Sequence, residues 1–329
     1  MADTLNARQL LDHIVKSIEN SGWQVLILSD RKPFELRVFR ENFPAQTLHV
    51  YIWNCTHGGG AKRAADEYRI QFTSVVPEIS PTGISLLLGW HSDYEVFVGW
   101  DLTKHSGQNS SSPSAQVKEK ALIDAHKNDF ALHLRQNAEI VVAFRPQFLV
   151  DYALSIDALH QTLEGSPELS VLDCLPVTED QQLDEITDLS RREVVRTIVT
   201  KYRAYDFSKR VLTGYQKQCA VCGLQLGLID AAHIVPVADE NSTDETCNGI
   251  ALCKTHHAAY DRNLISFDTD YKIEISEKSV EFLAQSDLLG GLDGFKRGLK
   301  DVLTLPADKR DFPKREYIEY SKEVRRWEK

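Results

Sequence analysis

The most constraining feature of this sequence is two close pairs of metal-ligating residues that stand some thirty residues apart. Cys219 and Cys222 form a CxxC pair, and Cys253 and His256 form a CxxH pair. Tetrahedral zinc needs four such ligands, and each close pair supplies one edge of the tetrahedron. The two pairs predict a closed structural zinc site, with a buried or redox-active CxxC as the alternative. We expect Cys247 to be a small buried apolar residue, because the site is already full.

Three further polar residues lie within or beside the segment that the two pairs enclose. His233 stands in the short apolar run DAAHIVP, which we expect to be a strand that ends at Pro236. Asn248 opens the run NGIALCKTHHAAYD, which is typical of a helix after a turn. In such a helix His257 points about 100° away from its neighbour His256. One histidine can then bind zinc while the other faces a separate cleft.

This order of residues resembles that of a known family. His233, Asn248 and His257, framed by the two pairs, resemble the HNH endonucleases of the ββα-metal fold over roughly Tyr215–Phe267, and more weakly over Leu303–Tyr320. The resemblance implies that His233 is the general base of phosphodiester hydrolysis. It also implies that Asn248 orients this base or fixes the loop, and that His257 binds a catalytic divalent ion.

The chemistry of the reaction agrees with these implied roles. Water attacks the phosphate in line, and a neutral imidazole near pH 7 is a suitable proton acceptor. The leaving 3′-oxygen and the pentavalent phosphate need positive charge, which one Mg²⁺ or Mn²⁺ ion can supply. The alternative is a zinc module that binds DNA or protein without cutting it.

The sequence departs from the family pattern at one position. Many relatives have a metal-binding Asp or His directly before the base, where this chain has Ala232. Asp230 is the nearest carboxylate, and it is either the second ligand of the divalent ion or a surface residue. Asp261 lies one helical turn after His257 and is either a partner of that histidine or a solvated helix residue.

The chain before the zinc motif has the pattern of a mixed α+β domain. Apolar residues from Leu10 to Ile18 fall on one helical face, and short runs rich in β-branched and aromatic residues follow. The expected strands are Trp23–Leu28, Phe34–Phe39, Leu48–Trp53, Tyr68–Thr73, Ile84–Trp90, Tyr94–Trp100 and Glu139–Phe144, with helices over about Ala115–Arg135 and Pro146–Leu163. We predict an α+β fold, with a β-rich N-terminal domain followed by a zinc-stabilised ββα-metal nuclease domain with helical flanks.

Charge divides the chain into three parts. The net charge of −10 argues against a nucleic-acid partner. The acidic excess is concentrated, however, because residues 164–188 hold eight acidic residues and no basic ones, so DNA stays a possible partner of the basic segments. We expect this stretch to be an interdomain linker between an α+β target-recognition domain, 1–163, and a nuclease domain with a basic C-terminal tail, 189–329. The basic residues that flank the motif are predicted to contact DNA phosphates: Lys209, Arg210, Lys314, Arg315, Arg325 and Arg326.

The first domain offers candidates for target recognition. Trp53, Trp90 and Trp100 each stand at the end of an expected strand. They either stack on an extruded, modified base or cap a β-core. After Trp53, three glycines beside Lys62 and Arg63 form either a loop that approaches a phosphate or a flexible surface loop.

The leading hypothesis is a cytoplasmic DNA endonuclease of prokaryotic restriction or defence type. It would act on double-stranded DNA. In one version of this hypothesis, it selects its target through a modified base. Two alternatives stay open, a ligand-gated effector nuclease and a non-catalytic zinc DNA-binding protein. The first twenty residues resemble an amphipathic helix and no apolar run reaches the roughly 18–20 residues that cross a bilayer, so we expect neither a signal peptide nor a membrane anchor. Double-strand cleavage with one site per chain suggests a homodimer, with sequential nicking as the alternative.

Overall fold

The structure is a computed structural model that describes residues 4–57, 64–106, 113–135, 137–163 and 165–328. Its contacts divide the chain into two compact units, Met1–Thr200 and Lys201–Lys329. The glycine-rich loop with Lys62 and Arg63 lies outside the described residues. Among the described helices, none has an apolar stretch of the length that spans a membrane.

The first unit is built on a mixed β-sheet. Its strands are β1 (Gln24–Ser29), β2 (Phe34–Arg40), β3 (Phe43–Asn54), β4 (Thr56–His57), β5 (Glu67–Gln71), β6 (Ile84–His91), β7 (Val96–Trp100), β8 (Ser114–Lys118), β9 (Phe130–Leu134) and β10 (Ile140–Phe144). The main sheet has the order β1-β2-β3-β6-β7-β10-β9, and β3 and β6 are parallel while the other neighbours are antiparallel. A smaller sheet has the order β4-β5-β8. Every residue of β7 and β10 is buried, so the middle of the main sheet forms the core.

Helices cover this sheet. They are α1 (Ala7–Asn20), α2 (Glu119–Asn128), α3 (Leu149–Leu154), α4 (Ile156–His160), α5 (Pro167–Asp173) and α6 (Asp180–Asp184), and α7 (Leu189–Gly214) runs across the division between the units. A capping box starts α1, because the Asn6 side chain accepts from the Gln9 backbone and the Gln9 side chain accepts from the Asn6 backbone. The predicted apolar face of α1 is buried, which confirms the N-terminal amphipathic helix.

The single helix predicted over Ala115–Arg135 is wrong, because this region forms β8, α2 and β9. Ala115 and Val117 are buried while their neighbours in β8 are not, and this period of two reflects pairing with β5. Helix α2 ends at Asn128, and the next residue, Asp129, adopts the left-handed conformation with φ at 67°. Pairing with β5 holds residues of good helix propensity in a strand here. The local sequence does not show this pairing, because β5 lies far away in sequence.

The predicted linker over residues 164–188 is also corrected. Its apolar residues are buried, including Leu172, Leu175, Leu183 and Ile186. The Ser166 side chain accepts from the Leu169 backbone N–H and so caps α5. Most of the acidic side chains point outward, so their charge conceals a short helical apolar pattern in the sequence. This segment is part of the first unit, which extends to Thr200.

The second unit contains two short strand pairs and several helices. Its strands are β11 (Ile229–His233), β12 (Gly249–Cys253), β13 (Ile265–Phe267) and β14 (Ile273–Ile275), paired antiparallel as β11–β12 and β13–β14. Its further helices are α8 (Lys254–Asp261), α9 (Glu277–Gln285), α10 (Leu292–Arg297) and α11 (Arg315–Val324). Their apolar residues form one core with α7, which includes Phe207, Val211, Leu252, Tyr260 and Phe267.

The strand β12 occupies part of the run that was predicted as a helix after Asn248. All five residues of β12 are buried, and α8 begins only at Lys254. Gly249 is required by packing, because a Cβ atom there would lie 2.3 Å from Cγ2 of Val211. A strand, a second strand and a helix therefore follow one another here, and the predicted α+β class with its ββα segment is confirmed.

Candidate active site

Cys219, Cys222, Cys253 and His256 come together as the sequence predicts. Their ligand atoms all lie within 4.8 Å of one another. Nδ1 of His256 is 3.2 Å from Sγ of Cys253 and 3.5 Å from Sγ of Cys219. Zinc–sulfur bonds of about 2.3 Å in a tetrahedron place the ligand atoms about 3.8 Å apart, so the size of the cluster suits zinc.

The ionisation of the cysteines also fits a divalent cation. Burial would raise the pKa of Cys219, but hydrogen bonds from His256 and from backbone groups lower it to about 6. Burial and the neighbouring Cys219 raise the pKa of Cys222 to about 12. Two adjacent thiolates are therefore unfavourable by themselves and become favourable when a cation binds between them. The cluster can hold a zinc ion with four protein ligands, while Cys247 is buried and lies beside Glu245.

The strand pair and α8 bring the remaining candidate residues to one side of this cluster. In the β11–β12 pair, Ile229 lies opposite Cys253 and His233 lies opposite Gly249. Because α8 follows β12 directly, it runs back along the pair toward the end of β11. The Tyr260 hydroxyl accordingly donates to the carbonyl oxygen of Ile234 at 3.2 Å.

His233 ends β11 and is held on two sides. Its Nε2 lies 3.0 Å from Oδ1 of Asp244, and its ring stacks on Phe207 with centroids 3.8 Å apart. The side chain is 14% exposed. The hydrogen bond with His233 lowers the pKa of Asp244, with further contributions from Arg203 and Arg210. Because Nε2–H donates a hydrogen bond to Asp244, Nδ1 keeps its lone pair and is the ring atom that can accept a proton.

Asn248 is fully buried and bonds to the loop between β11 and β12. Its Oδ1 accepts from the Val235 backbone N–H at 2.9 Å, and its Nδ2 donates to the Thr243 carbonyl at 2.8 Å. Its own carbonyl accepts from the Ile234 N–H. Of the two roles implied for Asn248, these contacts favour the one in which it fixes the loop.

His257 and Asp230 are brought together although they are far apart in sequence. Nδ1 of His257 lies 3.4 Å from Oδ2 of Asp230, and both side chains are about one-third exposed. The Lys254 ammonium donates to the same carboxylate at 2.7 Å. Ala232, by contrast, is buried in the core. Asp230 is thus the carboxylate that this chain places beside Nδ1 of His257.

Asp261 and Arg325 complete the side chains around the two histidines. Nε2 of His257 lies 3.3 Å from Oδ2 of Asp261, and Nη1 of Arg325 lies 3.4 Å from Oδ1 of the same residue. Nη2 of Arg325 also donates to the carbonyl oxygen of His233 at 3.4 Å. One guanidinium therefore connects the end of β11 with the end of α8.

Residues 219–268 match the family model described as HNH endonuclease. The second unit contains an HNH endonuclease domain. This domain makes the chain a nuclease. Its candidate site residues are His233, Asn248 and His257, whose order in the sequence carries the resemblance to the HNH endonucleases.

Other comparisons concern the rest of the chain. Residues 46–153 match the family model described as Methylase-associated X1, or MTaX1. A solved structure described as "Modification dependent TagI restriction endonuclease" aligns over 98% of this chain and 92% of its own, with 13% identity and a TM-score of 0.28. None of the curated proteins matches the chain.

Three of the basic residues predicted to contact DNA are engaged within the HNH domain. Arg210 donates to Asp206, to the Thr246 hydroxyl and to the Asp244 carbonyl, and so holds the loop that carries Asp244. Lys314 donates to Glu245 at 2.7 Å. Arg325 is only 12% exposed. For these three a phosphate contact stays a prediction, and in this structure acidic groups and carbonyl oxygens already accept hydrogen bonds from their donors.

The other three basic residues are exposed. Lys209 and Arg326 lie on the surface of the HNH domain, and Arg315 is 65% exposed with Asp270 at 3.8 Å. These three stay candidates for phosphate contacts.

The three tryptophans of the first unit are buried. Trp53 and Trp100 belong to its core, where their indole N–H groups donate to Thr73 and to the Gln116 carbonyl. Trp90 packs against Phe97 with ring centroids 4.8 Å apart. These contacts correct the prediction of a base-stacking pocket and favour the core-packing alternative, because the rings at these strand ends are covered by neighbouring elements.

Sequence reasoning did not single out Asp244, Phe207 or the link through Arg325. Asp244 lies in the polar loop ADENSTDET, where the sequence gives no reason to prefer one acidic residue over another. Phe207 belongs to α7, well before the motif, and only the folded core brings it to His233.

Proposed function

We propose that this chain is an endonuclease of the restriction type that hydrolyses phosphodiester bonds in double-stranded DNA. One observation carries the proposal: in an HNH domain, a histidine paired with a carboxylate is connected, through Arg325 and Asp261, to a second histidine that contacts a partly exposed carboxylate. The two pairs divide the tasks of the reaction between proton transfer and charge stabilisation.

His233 is the general base in this proposal. Asp244 accepts a hydrogen bond from Nε2–H, and Phe207 supports the ring face. The imidazole is therefore held in one tautomer and one orientation. Nδ1 is then positioned to take a proton from the attacking water. The buried Asn248 keeps the loop after β11 in place and acts on the base only through that loop.

His257 and Asp230 are the residues that would hold a divalent cation. An imidazole nitrogen and a carboxylate oxygen 3.4 Å apart suit an ion that keeps several water ligands, as Mg²⁺ and Mn²⁺ do. When bound, the ion supplies positive charge to the pentavalent phosphate and the leaving 3′-oxygen. Lys254 neutralises the charge of Asp230 in its present arrangement, with its Nζ 2.6 Å from Oδ2 of that residue.

The four-ligand cluster has a structural role in this proposal. Cys219, Cys222, Cys253 and His256 would hold Zn²⁺ with no open position for water or substrate. Zinc then fixes α8 to β12, and through them the distance between the two histidines.

The first unit is the proposed target reader. Contacts to phosphates position a protein on DNA but carry no sequence information, so a small nuclease domain needs a second source of selectivity. The match of residues 46–153 to a model described as methylase-associated supports a role that depends on DNA modification. We further propose a cytoplasmic protein that acts as a homodimer on double-stranded DNA.

A cleavage assay on DNAs that differ in base modification tests the proposal. The full chain is incubated with matched unmodified and modified plasmids, with Mg²⁺, with Mn²⁺ and with a chelator. We expect cleavage that needs the divalent ion and that differs between the plasmids. Equal cleavage of all plasmids would show that the chain does not select its target by base modification. No cleavage of any plasmid would favour a ligand-gated nuclease without its ligand or a non-catalytic zinc protein.

A further inference from the structure

Two residues outside the proposed catalytic set together connect the two halves of the site. Asp261 contacts Nε2 of His257, and Arg325 contacts Asp261 as well as the carbonyl oxygen of His233. We infer that Asp261 and Arg325 are positioning residues, which fix the imidazole of His257 for cation binding and tie it to the strand that carries the base. This inference rests on the proposed function of His257 and Asp230.

The geometry at His257 assigns a different task to each ring nitrogen. Nδ1 faces Asp230 and Nε2 faces Asp261, at 3.4 and 3.3 Å. A histidine that binds a cation is neutral and carries one proton, on the nitrogen away from the cation. If the ion binds between Nδ1 and Asp230, that proton is on Nε2, and Asp261 is the carboxylate that lies nearest to it. Once the cation occupies Asp230, Asp261 therefore favours the tautomer that leaves Nδ1 free to bind.

Arg325 keeps Asp261 in place and is itself held firmly. Its Nε donates to Ser321 at 3.2 Å, and its guanidinium lies 4.3 Å from the centre of the Tyr260 ring. Its other nitrogens face the Asp261 carboxylate and the His233 carbonyl. With 12% exposure and these acceptors, the side chain is placed to orient protein groups instead of DNA. Its planar fork spans two acceptors, which a lysine ammonium does not do.

Cation binding to the full zinc-loaded chain tests this inference without requiring turnover. Mn²⁺ affinity is measured by calorimetry for the wild type, Asp261→Asn, Arg325→Gln and Arg325→Lys, with zinc content and Tm measured on each sample. Asp287→Asn is the charge-matched control for Asp261, since Asp287 is exposed and its left-handed backbone also suits asparagine. Arg297→Gln is the control for Arg325, because it removes the same charge from an exposed position of the second unit.

We expect Asp261→Asn to weaken Mn²⁺ binding about 10–100-fold, with zinc content unchanged. Arg325→Lys should weaken it in the same direction although it keeps the charge, and should lower kcat without raising KM for DNA. Both controls should bind Mn²⁺ as the wild type does. Wild-type Mn²⁺ affinity in zinc-loaded Asp261→Asn and Arg325→Lys would overturn the inference alone. A wild type that binds no Mn²⁺ would overturn both this inference and the proposed cation site.

Discussion

His233 and His257 differ in their surroundings, and this difference separates their proposed roles. His233 is stacked on Phe207 and bonded to one carboxylate through Nε2, which leaves a single nitrogen available. His257 lies between two carboxylates, one at each ring nitrogen. A histidine with one free nitrogen suits proton transfer, whereas a histidine beside carboxylates suits a cation. This difference in surroundings arises from the side chains that lie around each histidine, most of which belong to other parts of the chain.

Asp244→Asn is expected to reduce the rate of cleavage while leaving zinc binding intact. The amide oxygen of asparagine carries no full negative charge, so it accepts the hydrogen bond from Nε2–H more weakly than the carboxylate does. His233 is then held less firmly in its tautomer. The loss in kcat should be smaller than that caused by removing the imidazole. The comparison uses single-turnover cleavage rates, and a mutant as fast as the wild type would exclude Asp244 from positioning the base.

The same residue should contribute to stability in a pH-dependent way. Its hydrogen bond to His233 lowers the pKa of Asp244 in the folded chain. A carboxylate with a lowered pKa stabilises the fold above its unfolded pKa of about 3.9, and this contribution is lost as the pH falls through the folded value. The Tm difference between the wild type and Asp244→Asn should therefore shrink below about pH 4. A difference that grows on acidification would contradict the assigned pair.

At the scale of elements, the proposed zinc site would fix the ββα segment. Cys219 stands after α7, Cys253 ends β12 and His256 lies in the first turn of α8. The strands β11 and β12 form a sheet of only two strands, and such a pair is marginally stable by itself. One ion bound by the loop after α7, by β12 and by α8 would therefore stabilise this segment.

Cys219→Ser is expected to lose zinc, thermal stability and cleavage together. Structural zinc sites in small domains contribute about 10–16 kcal/mol of apparent binding free energy at pH 7, and one lost thiolate removes much of that. Zinc content by atomic absorption and Tm by circular dichroism are measured on the same sample. Cys247→Ser is the matched control, since Cys247 is buried near the motif but is not part of the cluster. A zinc-loaded Cys219→Ser protein with the wild-type Tm would contradict the ligand assignment.

The elements that could be predicted from the sequence are those with a local cause. The strands rich in β-branched residues and the four zinc ligands depend on short spacings, and both were found where expected. The helix over Ala115–Arg135 and the linker over 164–188 were wrong, because pairing with β5 and burial of isolated leucines are tertiary effects. Asp244 and Arg325 reach the site from a loop and from the end of the chain. Spacing within the motif contains no information about either.

At the scale of the whole molecule, a chain with a net charge of −10 must bind DNA through local positive charge. Many of the basic side chains near the motif are neutralised by acidic partners, such as Arg210 by Asp206 and Lys314 by Glu245. The remaining exposed basic side chains of the second unit are interspersed with exposed acidic ones, so we expect weak phosphate binding by this unit and a dependence on the first unit for target selection.

Replacing exposed basic residues should weaken binding equally for all DNA sequences. Lys209→Gln, Arg315→Gln and Arg326→Gln are each expected to reduce the slope of log K against log salt by about one. Lys314→Gln is the control and should change the slope less, because Glu245 already holds the ammonium. Affinities are measured by fluorescence anisotropy on a preferred and a scrambled duplex at several salt concentrations. A change in the ratio of the two affinities would show that these residues read the target.

The most direct test of the whole account is the rate of DNA cleavage by the zinc-loaded full chain and by His233→Ala. Plasmids with and without base modifications are used, in Mg²⁺ and in Mn²⁺. The account predicts cleavage by the wild type and a rate about 10²–10⁴-fold lower for His233→Ala, with the zinc content and Tm of the wild type. A folded, zinc-loaded His233→Ala protein that cuts at the wild-type rate would contradict it, as would a wild type that cuts none of these plasmids with either ion.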